Sequence, residues 1–313
     1  MIDHPALDTL HGMLSLHQLR AAFFANPTLC DQWQLRFEAE HRLTFHLVQA
    51  GQCVLQLDGA SPLHVELSAG DLAVIPQHRV HVLSSRTRSA ADVGPVTLLC
   101  GAIDIEREDR SLLLEALPPS IVIRGQDTRG HSSLRRLLEL LTAETADHEN
   151  ACQLVLDKLA AALFAMVLRH YVCTVRPPHG LFAALNDAHL QPVLAAVHAG
   201  VGKRWSLRQL AALAMMSRSS FADHFKNTLG VSLRDYVVTW RMGHAAALLR
   251  DARRSVAQIA DLLGYTTEAS FRRAFKRYFG VGPGRVRREF RSRDAAAPAY
   301  GSSLVHEQRR DAG

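Results

Sequence analysis

Residues 206–231 and 255–281 are two copies of one pattern, and that repeat limits what the chain can fold into more than any other feature. Ser206, Gln209, Ala211 and Leu213 answer Ser255, Gln258, Ala260 and Leu262 at a constant offset of 49. Ser217, Phe221, Phe225, Lys226, Gly230 and Val231 answer Thr267, Phe271, Phe275, Lys276, Gly280 and Val281 at an offset of 50. The one-residue change falls between the two blocks, where a turn tolerates insertion. In the second copy Val256, Ile259, Ala260 and Leu263 have the spacing of a one-sided helix. Ser255 and Gln258 form a capping box. Gly264 breaks the helix, and Thr267 caps the next one. That helix buries Phe271, Ala274, Phe275 and Tyr278, and shows Arg272, Arg273, Lys276 and Arg277 on its other side. Gly280 and Pro283 stop it.

Two short helices across a turn, the second basic on its free face, is the layout of a DNA-reading helix-turn-helix. A single copy has a competing reading, a pair of surface helices with a merely solvated basic face; duplication weighs against it. Between the copies, Leu233, Tyr236, Val237, Trp240, Ala245, Leu248 and Leu249 make a helical stripe that holds the two units at a fixed separation. Such a pair suits successive major grooves, roughly 34 Å apart on one face of B-DNA. Charge agrees. Residues 1–180 hold 15 Lys/Arg and 20 Asp/Glu, residues 181–313 hold 21 and 10, so the net charges are −5 and +11. The basic half is where a phosphate footprint belongs.

Aligning the second helices on their N-caps gives the groove-facing positions. They are Arg218, Ser219, Ala222, Asp223 and Lys226 in the first unit, and Glu268, Ala269, Arg272, Arg273 and Lys276 in the second. Arg273, then Arg218, is the expected bidentate reader of guanine. Asp223 suits cytosine N4 or a neighbouring arginine, and Ser219 a permissive contact. Lys226, Lys276 and Arg277 suit phosphate. Phe221, Phe225, Phe271 and Phe275 are expected in the core.

From about Leu181 to Phe290 the chain resembles the DNA-binding domain of AraC/XylS-family transcription regulators. The carrying residues are Arg241-Met242, Ala245, Leu248-Leu249, Ile259-Ala260, Gly264-Tyr265, Phe271, Phe275-Lys276, Phe279-Gly280 and Pro283. Val286 departs from it, standing where the family often has tyrosine. The resemblance implies two helix-turn-helix units on an asymmetric double-stranded DNA site, RNA polymerase as a partner, and an activator.

The N-terminal half has a different pattern. Short β-like runs at 33–38, 43–48, 52–57, 63–67, 72–75, 80–83 and 96–100 are separated by turn residues such as Asp58-Gly59 and Ala69-Gly70-Asp71, which predicts a sandwich or small barrel. Residues 70–81 resemble the second half of a cupin jelly roll, and 52–59 the hairpin before it, with His78 where cupins usually place glycine. The cupin metal pattern wants a glutamate where this chain has Thr44, and no His-x-His precedes it. His41, His46, His78 and His81 would suit zinc or iron if they converged; otherwise they line a pocket or sit hydrogen-bonded in the core. The expectation is an effector pocket at His46, His78 and His81, with no metal, no cofactor and no catalytic residue.

Five cysteines in irregular spacing fit a reducing cytoplasm. Cys30, just before the first run, and Cys100, at the end of the last, form a candidate redox pair; Cys53, Cys152 and Cys173 look structural. Residues 132–143 and 151–171 read as helices. Leu154, Val155, Leu159, Leu163, Met166 and Val167 form a stripe that packs on the β-domain or forms a homodimer seam, the latter favoured by the resemblance. The apolar run 159–168 is too short to cross a bilayer, and the N-terminus shows no signal peptide, so no membrane is expected. Arg176-Pro177-Pro178-His179-Gly180 reads as a linker.

The expected fold is α+β and multidomain. Residues 1–110 form a cupin-like β jelly roll that receives an unknown effector, 111–180 a helical linker and dimerisation region, 181–291 an all-α domain with two helix-turn-helix units, and 292–313 a flexible tail. The expected function is a sequence-specific transcription regulator sensing a small-molecule or redox signal. Two rivals are a metal-dependent cupin enzyme fused to a DNA-binding module and a nonspecific architectural DNA binder.

Overall fold

The structure, a computed structural model, describes residues 5–16, 19–38, 42–58, 62–76, 79–85, 94–105, 112–126, 132–146, 153–251, 253–295 and 306–307. In chain order they form α1 (Pro5–Leu14), β1 (Leu19–Ala25), β2 (Thr28–Leu29), β3 (Gln34–Phe37), β4 (Arg42–Ala50), β5 (Gln52–Leu57), β6 (Leu63–Ser68), β7 (Leu72–Ile75), β8 (His81–Ser85) and β9 (Val96–Ile105). Then come α2 (Leu112–Ala116), β10 (Ile121–Ile123), α3 (Ser132–Ala146), α4 (Gln153–Thr174), α5 (Leu181–Asn186), α6 (Gln191–Ala199), α7 (Leu207–Leu213) and α8 (Arg218–Leu229). The chain ends with α9 (Leu233–Arg250), α10 (Val256–Leu262), α11 (Glu268–Phe279), α12 (Pro283–Ala295) and β11 (His306–Glu307).

These elements divide into a β unit, which holds the strands, α3 and most of α4, and a helical unit of α1, α2 and α5–α12. The β unit is two antiparallel sheets, one ordered β1-β9-β4-β7-β10 with β2 beside β9, the other β11-β3-β8-β5-β6. Alternation along β5 and β3 sends Cys53, Leu55, Leu57, Leu35 and Phe37 inward, where they meet Val48, Ala73, Ile75, Leu83, Leu98 and Cys100 in one core. The turn before β7 is fixed by Asp71, buried and accepting from Ser68 N at 3.1 Å, Gly125 N at 2.8 Å and Arg124 Nη1 at 2.7 Å.

In the helical unit both repeats form as expected. Ser206 with Gln209 and Ser255 with Gln258 make complete capping boxes; Ser217 and Thr267 cap α8 and α11 by accepting from Ser220 N and Ser270 N. Phe221, Phe225, Phe271 and Phe275 are fully buried. The turns superpose residue for residue as far as Met216 N to Ala211 O at 3.0 Å and Tyr265 N to Ala260 O at 2.9 Å. The extra residue of the second copy is therefore Thr266. Val286, the departure from the resemblance, packs into the second core beside Phe271 and Phe275.

The structure differs from expectation in four places. β1, β2 and β10 were not expected; β1 joins the sheet beside β9. The N-terminal helix α1 falls in the helical unit, with Leu10 and Met13 buried. On α4 the buried stripe is Leu156, Ala160, Leu163, Phe164, Val167 and Leu168, while Leu154 is 65% and Val155 40% exposed. The expected stripe was rotated off the packed face at its start. The tail expected from residue 292 instead continues α12 to Ala295, and His306–Glu307 pairs with β3. Cys152 lies outside the described residues, and Cys173 is exposed.

Candidate nucleic-acid interface and a buried histidine chain

α8 and α11 present the predicted positions outward. Arg218, Ser219, Asp223 and Lys226 are exposed on α8, with Ala222 half-buried. On α11 Ala269, Arg272, Arg273, Lys276 and Arg277 are exposed, with Glu268 half-buried. One turn of helix separates Glu268 from Arg272, and their side chains pair, Arg272 Nε donating to Glu268 Oε1 at 2.5 Å. Arg272 thus has its guanidinium tied along the helix, whereas Arg273, one position round, makes none of the described ion pairs. α8 is braced from behind by His224 Nε2 on Asp187 Oδ2 at 2.8 Å. Sequence reasoning missed that brace because 37 residues separate the partners.

Within the β unit the structure brings together two of the three proposed pocket histidines and one of the two proposed redox cysteines. His46 on β4 faces Cys100 on β9 in register, and His81 opens β8 of the opposite sheet. His46 Nδ1 lies 3.1 Å from Cys100 Sγ, and His46 Nε2 lies 2.8 Å from His81 Nε2. His81 Nδ1 lies 3.0 Å from the Arg79 carbonyl oxygen. Phe37 stacks on His81 with centroids 4.9 Å apart and tilts against His46 at 4.5 Å. His46, His81 and Cys100 are at most 1% exposed. His78 lies outside the described residues.

The partners dictate where each proton sits. A carbonyl only accepts, so His81 Nδ1 carries hydrogen and, in the neutral ring, Nε2 accepts. His46 Nε2 must then donate, which leaves its Nδ1 to accept the Cys100 thiol hydrogen. Every polar atom of the chain is satisfied with all three groups neutral, as burial requires. Burial, with His81 alongside, holds His46 well below the usual imidazole range. Burial also lowers His81 to about 4 and raises the Cys100 thiol, and it pushes neighbouring Cys53 up to about 12.

A metal does not fit the arrangement of His46, His81 and Cys100; His41, like His78, lies outside the described residues. Both nitrogens of His46 are spent on different partners, so the donors run in line rather than converge, and Thr44 offers a hydroxyl where a carboxylate would be needed. Among the described residues no three His, Cys, Asp or Glu side chains gather to hold an ion. Nor does the fold bring the two cysteines together. Leu29 pairs with Val96, so exposed Cys30 stands near Pro95, about five strand residues or roughly 17 Å from Cys100. A disulfide needs Cα atoms within about 7 Å. Among the described residues no helix is long and apolar enough to cross a membrane.

Residues 8–173 match a family model described as Cupin, and residues 210–289 one described as Helix-turn-helix domain. An AraC-like transcription regulator of Streptomyces lividans is 29% identical over 303 residues, covering 90% of this chain and 98% of that protein. The transcriptional regulator MtrA of Neisseria gonorrhoeae is 26% identical over 303 residues, covering 90% and 99%. The RCS-specific transcriptional activator RclR of Escherichia coli is 25% identical over 288 residues, covering 91% and 99%.

Proposed function

For a chain that belongs to the AraC family of transcription regulators and carries a cupin domain ahead of its helix-turn-helix reader, we propose that α8 and α11 enter two successive major grooves of duplex DNA. The observation that carries this reading is the matched pair of capped helices, each seated on two buried phenylalanines and each turning arginine and lysine to solvent. Arg273 reads guanine, Arg218 does the same in the first subsite, and Lys226, Lys276 and Arg277 hold phosphates. Arg273→Ala is expected to lose roughly 1–3 kcal/mol on the selected site and far less on random duplex. Arg277→Ala is expected to lose similarly on both and to lower the salt slope by about 1. Fluorescence anisotropy with both duplexes at several salt concentrations reads the two effects. Equal losses for Arg273→Ala on both duplexes would make Arg273 a phosphate contact.

The regulator works as an activator that recruits RNA polymerase and pairs with a second copy. The name of the E. coli relative supports the activator, and the family resemblance supports the polymerase and the second copy. Its cupin domain receives the signal, and the Cys100–His46–His81 chain, sealed between the two sheets, is the polar feature of that core best placed to respond. Cys30 and Cys100 are the redox candidates. They respond separately, one exposed and one buried, and a mutual disulfide is not part of the reading. Exposed Cys30 is the thiol that a mild oxidant reaches, so Cys30→Ser is expected to abolish a change in DNA affinity on mild oxidation, while Cys100→Ser, which removes a buried thiol held protonated, weakens it at most partly. DNA binding of both variants before and after oxidant checks this. A full response retained in the two single variants would turn the search to a small-molecule effector.

A further inference from the structure

We infer that residues 201–204, the loop that leads into the first reader, are a strap fixing the spacing and phase of the second, and that Arg241 is the positioning residue that holds it. The inference rests on α8 and α11 being the two readers. The loop belongs in sequence to the first helix-turn-helix, since it joins α6 to α7. In space it belongs to the second. Val201 packs into the core built by Met242, Ile259, Leu263, Phe271 and Phe275. The Gly202 peptide lies directly on the turn that follows α10. A Cβ on Gly202 would fall 2.3 Å from the Leu262 carbonyl oxygen, and one on Gly264 would fall 2.1 Å from the Gly202 carbonyl oxygen. Arg204 reaches the Gly264 carbonyl with Nε and Nη2, each at 3.3 Å. From the connecting helix α9, Arg241 donates from Nε to Val201 O and from Nη2 to Lys203 O, both at 2.9 Å. Those two carbonyls flank Gly202, so one guanidinium grips the strap on both sides of its contact point.

The repeat supplies an internal control. The equivalent turn of the first unit has Met215 in the same left-handed backbone region, φ 53 against 76 for Gly264, and its side chain is 80% exposed. Both turns need the conformation; the first meets a distant side chain, His189 Nδ1 on the Ala214 carbonyl oxygen at 2.9 Å, whereas the second has another stretch of backbone lying directly on its glycine. Without the strap the two readers would be joined by α9 alone and free to rock at its two ends. The strap makes a second connection and closes the frame. One base pair more between the subsites displaces the second by about 3.4 Å and turns it by about 35°. A closed frame cannot follow that.

The test uses the full-length protein and the duplex it selects from random DNA, with the segment between the two subsites lengthened or shortened by one base pair. Wild type is expected to lose at least about 30-fold on either change, comparable to a lost base contact. Arg241→Ala is expected to bind the original spacing several-fold more weakly and to lose under about 5-fold on the altered ones. Arg204→Ala, an exposed side chain that folding does not need, is expected to fall between. If Arg241→Ala does not fold, Arg204→Ala and Arg241→Lys carry the comparison. An Arg241 variant that keeps the 30-fold spacing penalty, or a wild type indifferent to spacing, would overturn the strap while leaving the readers intact. A selected site unaffected by Arg273→Ala and Arg218→Ala together would overturn the reading beneath it instead.

Discussion

Gly264→Ala is expected to cost the helical unit at least about 3 kcal/mol, enough to unfold its second helix-turn-helix in many backgrounds. Two costs add. The residue sits at φ 76, and a side chain in that region costs about 1–2 kcal/mol. The new Cβ would also lie 2.1 Å from the Gly202 carbonyl oxygen, well inside van der Waals contact, and the obstructing atom is backbone. It cannot swing away as a long side chain would, because Arg241 holds the carbonyls on either side of Gly202. Met215→Gly separates the two costs. Met215 has the same backbone but an open surface, so relief of strain and the greater unfolded-state entropy of glycine oppose each other. The net change is expected within about 1 kcal/mol of zero. Urea denaturation of both variants followed by circular dichroism reads the difference. A Gly264→Ala protein as stable as wild type would mean that the strap does not press on that turn.

That contrast also shows what could be read from the residues alone. The glycine at 264 was legible as a turn, since its local conformation leaves a local mark. The reason alanine cannot replace it was not, because the obstacle is a peptide 62 positions away in a loop with no periodicity. The readers were legible for the same local reason: capping boxes, phenylalanines four apart and a basic face all lie within a dozen residues, and they occur twice. In the β unit, run boundaries were found wherever a turn residue punctuated them. β1, with its run of alanine and phenylalanine, carries no alternation and was missed. The redox pair was drawn from positions at the two ends of the β region. Strand register decides otherwise, pairing His46 with Cys100 and Phe37 with His81, and register is set by hydrogen bonds between residues tens of positions apart. His46 and His81 stand out in the sequence as polar residues within β-like runs, but their order in one chain of donors and acceptors belongs to the packed sandwich.

That ordered chain makes acid stability the sharpest test of the β unit. His81 stays neutral down to about pH 4, against 6.5 for a free imidazole, which corresponds to roughly 3 kcal/mol between the two protonation states. The unfolded chain takes up a proton below about 6.5 while the folded one refuses it. The stability held by the neutral ring is therefore complete above pH 6.5 and is lost progressively as pH falls toward 4. His46, depressed by its own burial and by His81, acts in the same direction. In the helical unit His198, lowered to about 3, and His244, to about 4, add a similar acid sensitivity that a variant of the β unit leaves untouched. The informative comparison is thus wild type against the double variant His46→Leu, His81→Phe, whose side chains fill the same space beside Phe37. Wild type is expected to lose at least about 2 kcal/mol more than the double variant between pH 7.5 and pH 5, as calorimetry of each would show. Either single variant at pH 7.5 should cost about 1–3 kcal/mol by stranding a buried partner. Their sum should exceed the cost of the double variant, in which the two facing Nε2 atoms are removed together and neither strands the other. Parallel pH profiles for wild type and double variant would mean that the pair is already solvated or charged at neutral pH, and the ordered chain from Cys100 to Arg79 would fall with it.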